Sequence, residues 1–367
     1  MNYTECFVVL DKLSSERLSI LRFPLIIGVV LILSAGTTMN FADGSSGSEE
    51  LLFFFNFIQN ILSDGIARVA VPLFFLMSGF LFFLNVKWSI DKFKEKVRSR
   101  FYTLVIPFLF WNMFVMVVFF IAQTIPQTSV YFSGTNQSIA TYSLFDFFNN
   151  LLGLTKSPIS FQFWFIRDLI VMILLTPLLI CIFKSKILAT LMLFLLSCLW
   201  LLDVWPIYIP SLAAVYFFYV GSYISKFEID IFSMDRFGSS IFVIYLVFLL
   251  ADTMTKNYEI NQVLHHIGIV LGVITSLYIS KSFCGKARIK NLFLRLSTYA
   301  FFIFALHEPL LRIFKKLIYK LISPESELAI IFIYFFVPLV IIFTLIFTYE
   351  ILNKLAPRQL RAVVGGR

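Results

Sequence analysis

Four places in this sequence set ionisable side chains inside runs that are otherwise apolar: Arg22, Arg68, Arg167 with Asp168, and His307 with Glu308. Such groups are costly in hydrocarbon and by default mark a site. A neutral imidazole is the side chain best suited to moving a proton near pH 7, which makes His307 the candidate base. Glu308 and Asp168 are the carboxylates beside the candidate cations and base, and Arg68 and Arg167 are fixed positive charges able to stabilise an oxyanion. Each has a plainer counterpart: Arg68 snorkels to an interface, or Arg167 and Asp168 only hold helices together as an ion pair. His265 and His266, beside a loop with Lys256 and Glu259, read as solvated. Cys6, Cys181, Cys198 and Cys284 form no CxxC pair and no set with His at metal-ligand spacing, so they read as packing residues and no metal site is expected.

The elements that must position these groups follow from composition. Of 367 residues, 59% are hydrophobic and 14% charged, and the mean hydropathy is +0.90, far from soluble domains. A nucleic-acid-binding or secreted domain is excluded. Apolar runs bounded by charge predict about ten spans, near 18–38, 66–84, 101–123, 164–183, 186–203, 207–224, 237–254, 263–280, 296–319 and 328–352. The predicted fold class is therefore all-α, a polytopic membrane helix bundle in a single domain covering 1–367. Segment 51–63 is too short to span and carries Asn56, Gln59 and Asn60, so it reads as an interfacial or re-entrant helix. Residues 1–10 hold no Lys or Arg, and no cleavable signal is expected. Small residues, Ser78 and Gly79 in LMSGF and Gly268 with Gly272, are expected to pack helices together.

The formal charge is +9, and its placement matters more than its size. With both termini cytoplasmic, about three quarters of the Lys and Arg residues fall on the inner side, as the positive-inside rule requires. The outer cluster 312–320 runs against that trend. Trp88, Trp111, Trp200 and Trp205 lie near predicted span ends and read as interfacial anchors. Basic segments 87–100 and 281–295 suit either topology alone, the phosphates of a nucleotide-bearing donor, or anionic lipid. The loop 124–163 is polar and almost uncharged, a lid or a connection. At about 1.5 Å per residue, His307 lies roughly 16 Å from the inner face, and Arg68 and Arg167 lie within about a turn of the outer one. One cavity in the outer half is the expected meeting place.

Five segments in order, RLSILRFPLIIGVV, ARVAVPLFFLMSGFLFF, KVRSRFYTLVIPFLFWN, FWFIRDLIVMILLTPLL and FFIFALHEPLL, resemble the acyltransferase 3 family of bacterial multi-span membrane proteins, over essentially the whole chain. The resemblance implies O-acylation, commonly acetylation, of surface or exported carbohydrate, with acyl-CoA (acetyl-CoA) as co-substrate and no tightly bound cofactor. It implies a bacterial cytoplasmic membrane location, a hydroxyl acceptor and surrounding lipid as partners, and no nucleic acid. Arg22, Arg98, Arg100 and Trp164 are the candidate substrate-binding residues. Relatives with an LRFPLI-like opening usually carry a histidine eleven residues after the arginine, taken as the catalytic base. Here that position is Leu33, about 16 Å along the helix from Arg22 and on nearly the same face.

Leucine cannot accept a proton. Either His307, Glu308 or Asp168 takes over the proton transfer, or the chain is a weakened relative that binds acyl-CoA. A different class, transport of a polysaccharide or lipid-linked sugar, also fits a bundle with buried charges and no soluble catalytic domain.

Overall fold

The computed structural model describes residues 12–41, 44–47, 52–86, 89–129, 132 and 137–366. The segment 1–10 with Cys6, the residues Lys87 and Trp88, and part of loop 124–163 lie outside the described residues. The helices are α1 (Lys12–Ser34), α2 (Phe53–Gln59), α3 (Ala70–Phe83), α4 (Ile90–Arg100), α5 (Ile106–Thr124), α6 (Leu144–Leu152), α7 (Trp164–Leu174) and α8 (Thr176–Ile182). They continue as α9 (Lys186–Leu202), α10 (Leu212–Lys226), α11 (Gly238–Met254), α12 (Ile260–Cys284), α13 (Ala287–Ser297), α14 (Ala300–Ile322), α15 (Glu327–Leu355) and α16 (Pro357–Val363).

The chain is a polytopic membrane helix bundle: among the described residues six helices are long and apolar enough to cross a bilayer, and up to eight spans result if two broken pairs each count as one. All ten predicted spans fall on helices; α9 and α10, of 17 and 15 residues, fall short of the roughly 20 residues a perpendicular crossing takes. The helix pair α7 and α8 bends by 51°, where Pro177 denies the chain a backbone donor. Segment 51–63 corrects the sequence reading. It is the start of a 31-residue helical stretch, Phe53–Phe83, long and apolar enough to cross a bilayer, and not a separate segment too short to span. Its polar groups find protein partners: the Phe55 N–H donates to Glu327 at 2.9 Å, and Ser63 Oγ lies 2.7 Å from the Tyr334 hydroxyl. Two short antiparallel strands, β1 (Thr38–Phe41) and β2 (Gly44–Gly47), pair Thr38 with Gly47 and Phe41 with Gly44.

The chain divides into two compact units. The first holds the start of α1, α3, α4, most of α7, and α8 through α13. Its centre is the crossing of α3 and α10, where a Cβ built on Gly79 would sit 2.2 Å from the Phe218 carbonyl oxygen and one on Gly221 only 2.0 Å from that of Leu76. The helices touch backbone to backbone, the packing small residues permit in lipid. Gly272 likewise receives Val69 and Tyr245, whereas a Cβ on Gly268 would meet nothing within 4 Å; of the glycines expected to pack, Gly268 does not. On α11, Val243, Ile244, Val247 and Leu250 are exposed, the apolar surface a lipid solvent accepts.

The second unit holds the end of α1, the hairpin, α2, α5, α6, the first turn of α7 and α14 through α16. Two prolines inside helices organise it. Pro309 and Pro338 lack an N–H, so the carbonyls four residues earlier lose their helical donors. Side chains replace them: Gln162 Nε2 donates to the Ala305 oxygen at 2.8 Å, and Ser34 Oγ to that of Tyr334 at 3.1 Å. The carbonyls at the end of α1 are claimed by Lys315, whose buried Nζ donates to Ser34, Ala35 and Gly36 at 2.8, 3.3 and 3.2 Å. A cation there meets the negative end of the helix dipole. Lys315 is thus a helix clamp, which accounts for one charge in the basic cluster 312–320. Trp111 and Trp200 are buried, not interfacial: their indole N–H groups donate to Val363 and His266 carbonyls at 2.9 and 3.2 Å.

Candidate functional site

The candidate residues divide between the units. In the second, α14 carries His307 and Glu308. His307 is fully buried. Its Nδ1 lies 3.0 and 2.9 Å from the carbonyl oxygens of Ile303 and Phe304. Two acceptors at Nδ1 require that nitrogen to carry the proton, so the neutral ring has its lone pair on Nε2. Nε2 has no hydrogen-bond partner among the described residues. A base needs that arrangement: one nitrogen fixed, the other available. Glu308 is buried and paired with the exposed Arg312 one turn on, so its charge is already engaged.

Around the same stretch of α14, Phe304 packs on Phe163 and Phe165 with ring centroids 5.3 and 6.0 Å apart. Gln162 and Ser160 precede them. The Ser160 N–H donates to Asn112 Oδ1 at 3.2 Å, and Asn112 Nδ2 returns to the Phe108 carbonyl at 2.8 Å. Gln162 Oε1 and Ser160 Oγ, both buried, have no partner among the described residues. None of these three residues was singled out from sequence. The readable signal was Pro309, which guarantees an orphan carbonyl on Ala305.

Arg167 is buried and donates to the carbonyls of Gly153 and Lys156 at 2.6 and 3.4 Å. The loop it grips follows α6, whose start is fixed by a capping box between Ser143 and Asp146 and whose end is Gly153 at φ 74°. Asp168, in the first unit, accepts the Ser211 N–H at 2.8 Å, at the residue that caps α10. Leu33 lies half-buried in the last turn of α1, and Trp164 is half-buried at the start of α7.

The first unit also holds the other candidate arginines. Arg68 is exposed on the single 3₁₀ turn Ala67–Val69 before α3. Arg98 is exposed, while Arg22 and Arg100 are half-buried. The guanidiniums of Arg22 and Arg100 lie close enough to repel each other, and neither has a hydrogen bond or ion pair among the described residues. Two desolvated like charges without a counter-ion are costly to hold. Arg17 is buried and fully engaged: with Asp235 at 2.7 Å, Ser280 Oγ at 2.9 Å, the Leu277 carbonyl at 2.6 Å, and the Phe232 ring at 3.5 Å.

The histidine doublet is not solvated. His266 is buried edge-on to Trp200, centroids 4.5 Å apart. His265 is half-buried, its Nδ1 3.1 Å from buried Asp252, which also receives Lys256 and Asn261 at 3.1 and 2.8 Å. That cluster ties α11 to α12. Cys181 is exposed and Cys198 and Cys284 are half-buried, all as free thiols. Among the described residues, no group of three or more His, Cys, Asp or Glu is placed to hold a metal ion.

Comparison with known proteins bears on the chain as a whole. The chain is 25% identical to the succinoglycan biosynthesis protein ExoH of Rhizobium meliloti (strain 1021) over 368 residues, covering 98% of this chain and 94% of that protein. No solved structure matches. The family model described as an acyltransferase domain matches residues 16–349, and with most of its length inside that match the chain belongs to the acyltransferase 3 family.

Proposed function

We propose that this protein is a membrane O-acyltransferase, moving an acyl group, in the first instance acetyl, from acyl-CoA to a hydroxyl of a surface or exported carbohydrate. The observation that carries the reading is His307, buried with Nδ1 engaged and Nε2 unpaired. The acceptor hydroxyl gives its proton to Nε2 as its oxygen attacks the thioester carbonyl. The tetrahedral oxyanion then collapses, the C–S bond breaks, and the proton passes to the departing CoA thiolate. Arg68 and Arg167 are the cations assigned to the oxyanion. Arg22 and Arg100, with Arg98, bind the donor's phosphates, and Trp164 belongs to the substrate-binding set. Both termini face the cytoplasm, where acyl-CoA is made, and the whole chain works as one catalytic domain of the bacterial inner membrane. The carbohydrate acceptor is supported by similarity to a protein named for succinoglycan biosynthesis.

A second reading is favoured by Leu33: a relative that binds acyl-CoA without turnover, or one that has lost most of its rate. Acetyl transfer from labelled acetyl-CoA in inverted membrane vesicles separates the two, comparing the unaltered protein, Leu33→His and His307→Ala. The proposal expects activity in the unaltered protein and a drop of about 10²–10⁴-fold in His307→Ala. Activity only after Leu33→His establishes the second reading. Full activity in His307→Ala removes that histidine from the mechanism.

A further inference from the structure

Three buried polar atoms without partners among the described residues, Ser160 Oγ, Gln162 Oε1 and His307 Nε2, belong to one neighbourhood. Gln162 is bonded to the Ala305 carbonyl, two residues from His307, and Ser160 is two residues before Gln162. The rings of Phe163 and Phe304 lie between these segments, and Phe304 is 6.3 Å from the His307 ring by centroids. Gln162 Oε1 accepts and cannot donate, and His307 Nε2 is an acceptor in the tautomer its neighbours impose. Burying such groups unpaired is costly, so the complementary ligand is a donor. Glu308, the nearest carboxylate on α14, is already paired with Arg312. A ligand cation would therefore enter this neighbourhood without a counter-charge, which disfavours an ammonium. A neutral group with several hydroxyls, against aromatic rings, fits.

We infer that Ser160 and Gln162 form a hydroxyl-binding subsite beside His307, in which Gln162 Oε1 accepts a hydrogen bond from a hydroxyl of a neutral carbohydrate. This rests on the acyl-transfer reading for its purpose, not for its geometry. Gln162 has two tasks at its two ends: Nε2 mends the break left by Pro309, and Oε1 reads the ligand. The two are separable, because Pro309→Ala returns a backbone N–H to the Ala305 carbonyl and makes the mending redundant.

The test measures binding of cellotetraose, a hydroxyl-rich probe, and of acetyl-CoA to the purified full-length protein in lipid nanodiscs, with thermal unfolding of each variant. Gln162→Met is expected to weaken cellotetraose binding about tenfold and leave acetyl-CoA binding unchanged. In Gln162→Met with Pro309→Ala, the unfolding temperature recovers while the saccharide affinity stays low. The inference is overturned if Pro309→Ala restores saccharide binding, since Gln162 is then only a brace. It is equally overturned if Gln162→Met binds cellotetraose within twofold of the unaltered protein, or if the unaltered protein does not bind it at all. Failure of the unaltered protein to bind acetyl-CoA would count against the donor reading alone.

Discussion

Arg17 and Arg22 are five residues apart on one helix and stand in opposite states. Arg17 has a carboxylate, a hydroxyl, a carbonyl and an aromatic face; Arg22 is desolvated, adds a like charge to the surroundings of Arg100, and has no hydrogen bond or ion pair among the described residues. A buried cation whose donors are all engaged holds elements together. One left facing another cation costs stability in the empty protein, and recovers it only when an anion arrives. In an apolar chain the charge itself thus says little about role, and the accounting of its partners says much.

The largest expected effect breaks the satisfied side of that contrast. Arg17→Ala leaves Asp235 without its cation and should cost about 3–5 kcal/mol of stability, read as a fall in thermal unfolding temperature in nanodiscs. Whatever fraction stays folded should bind acetyl-CoA normally, and a loss of donor affinity with unchanged melting would reverse the assignment. Arg22→Ala and Arg100→Ala should do the opposite. Each is expected to weaken acetyl-CoA about 10–100-fold, more at low salt than at high salt, with melting unchanged or raised as the repulsion is relieved. A large drop in stability would instead place this pair among the structural charges.

The smallest effect applies the same rule where water competes. Asp146 is held below the usual carboxylate range by the Ser143 hydroxyl and backbone N–H. Because the folded value is lowered, its contribution is present above the ordinary value of 3.8 and disappears as pH falls through the lowered one. Ser143→Ala should cost the α6 loop about 1 kcal/mol and flatten that acid dependence, measured by hydrogen exchange at 144–152. An unchanged acid profile in Ser143→Ala would show that the cap does not set it.

The helices were legible because a bilayer tolerates few alternatives: every apolar run of the required length became a helix, including 207–224, which α10 begins late at Leu212. Two kinds of feature were not legible. Segment 51–63 reads as a separate short helix because it is brief and carries Asn56, Gln59 and Asn60, while the contacts that hold it, from the Phe55 N–H to Glu327 and from Ser63 to Tyr334, reach about 270 residues along the chain. Arg17 and Arg22 sit in the same string, RLSILRF, yet only Arg17 meets Asp235 and Ser280. Local sequence shows where a polar group sits, and long-range contacts decide whether it is engaged. His307 stands out in the sequence because an ionisable group in an apolar run is conspicuous. Gln162 was passed over because an uncharged amide is not, although Pro309 had already announced an orphan carbonyl nearby.

The clamp on the end of α1 also bears on mutational history. Lys315 holds the carbonyls of Ser34, Ala35 and Gly36, and Ser63 Oγ donates to that of Leu31 at 2.8 Å. The backbone on both sides of position 33 is therefore fixed by residues that do not depend on the side chain there. Some leucine codons lie a single nucleotide from histidine, so an imidazole can be lost or gained there in one step without rebuilding its surroundings. Position 33 can therefore exchange leucine for histidine with the end of α1 already held in place.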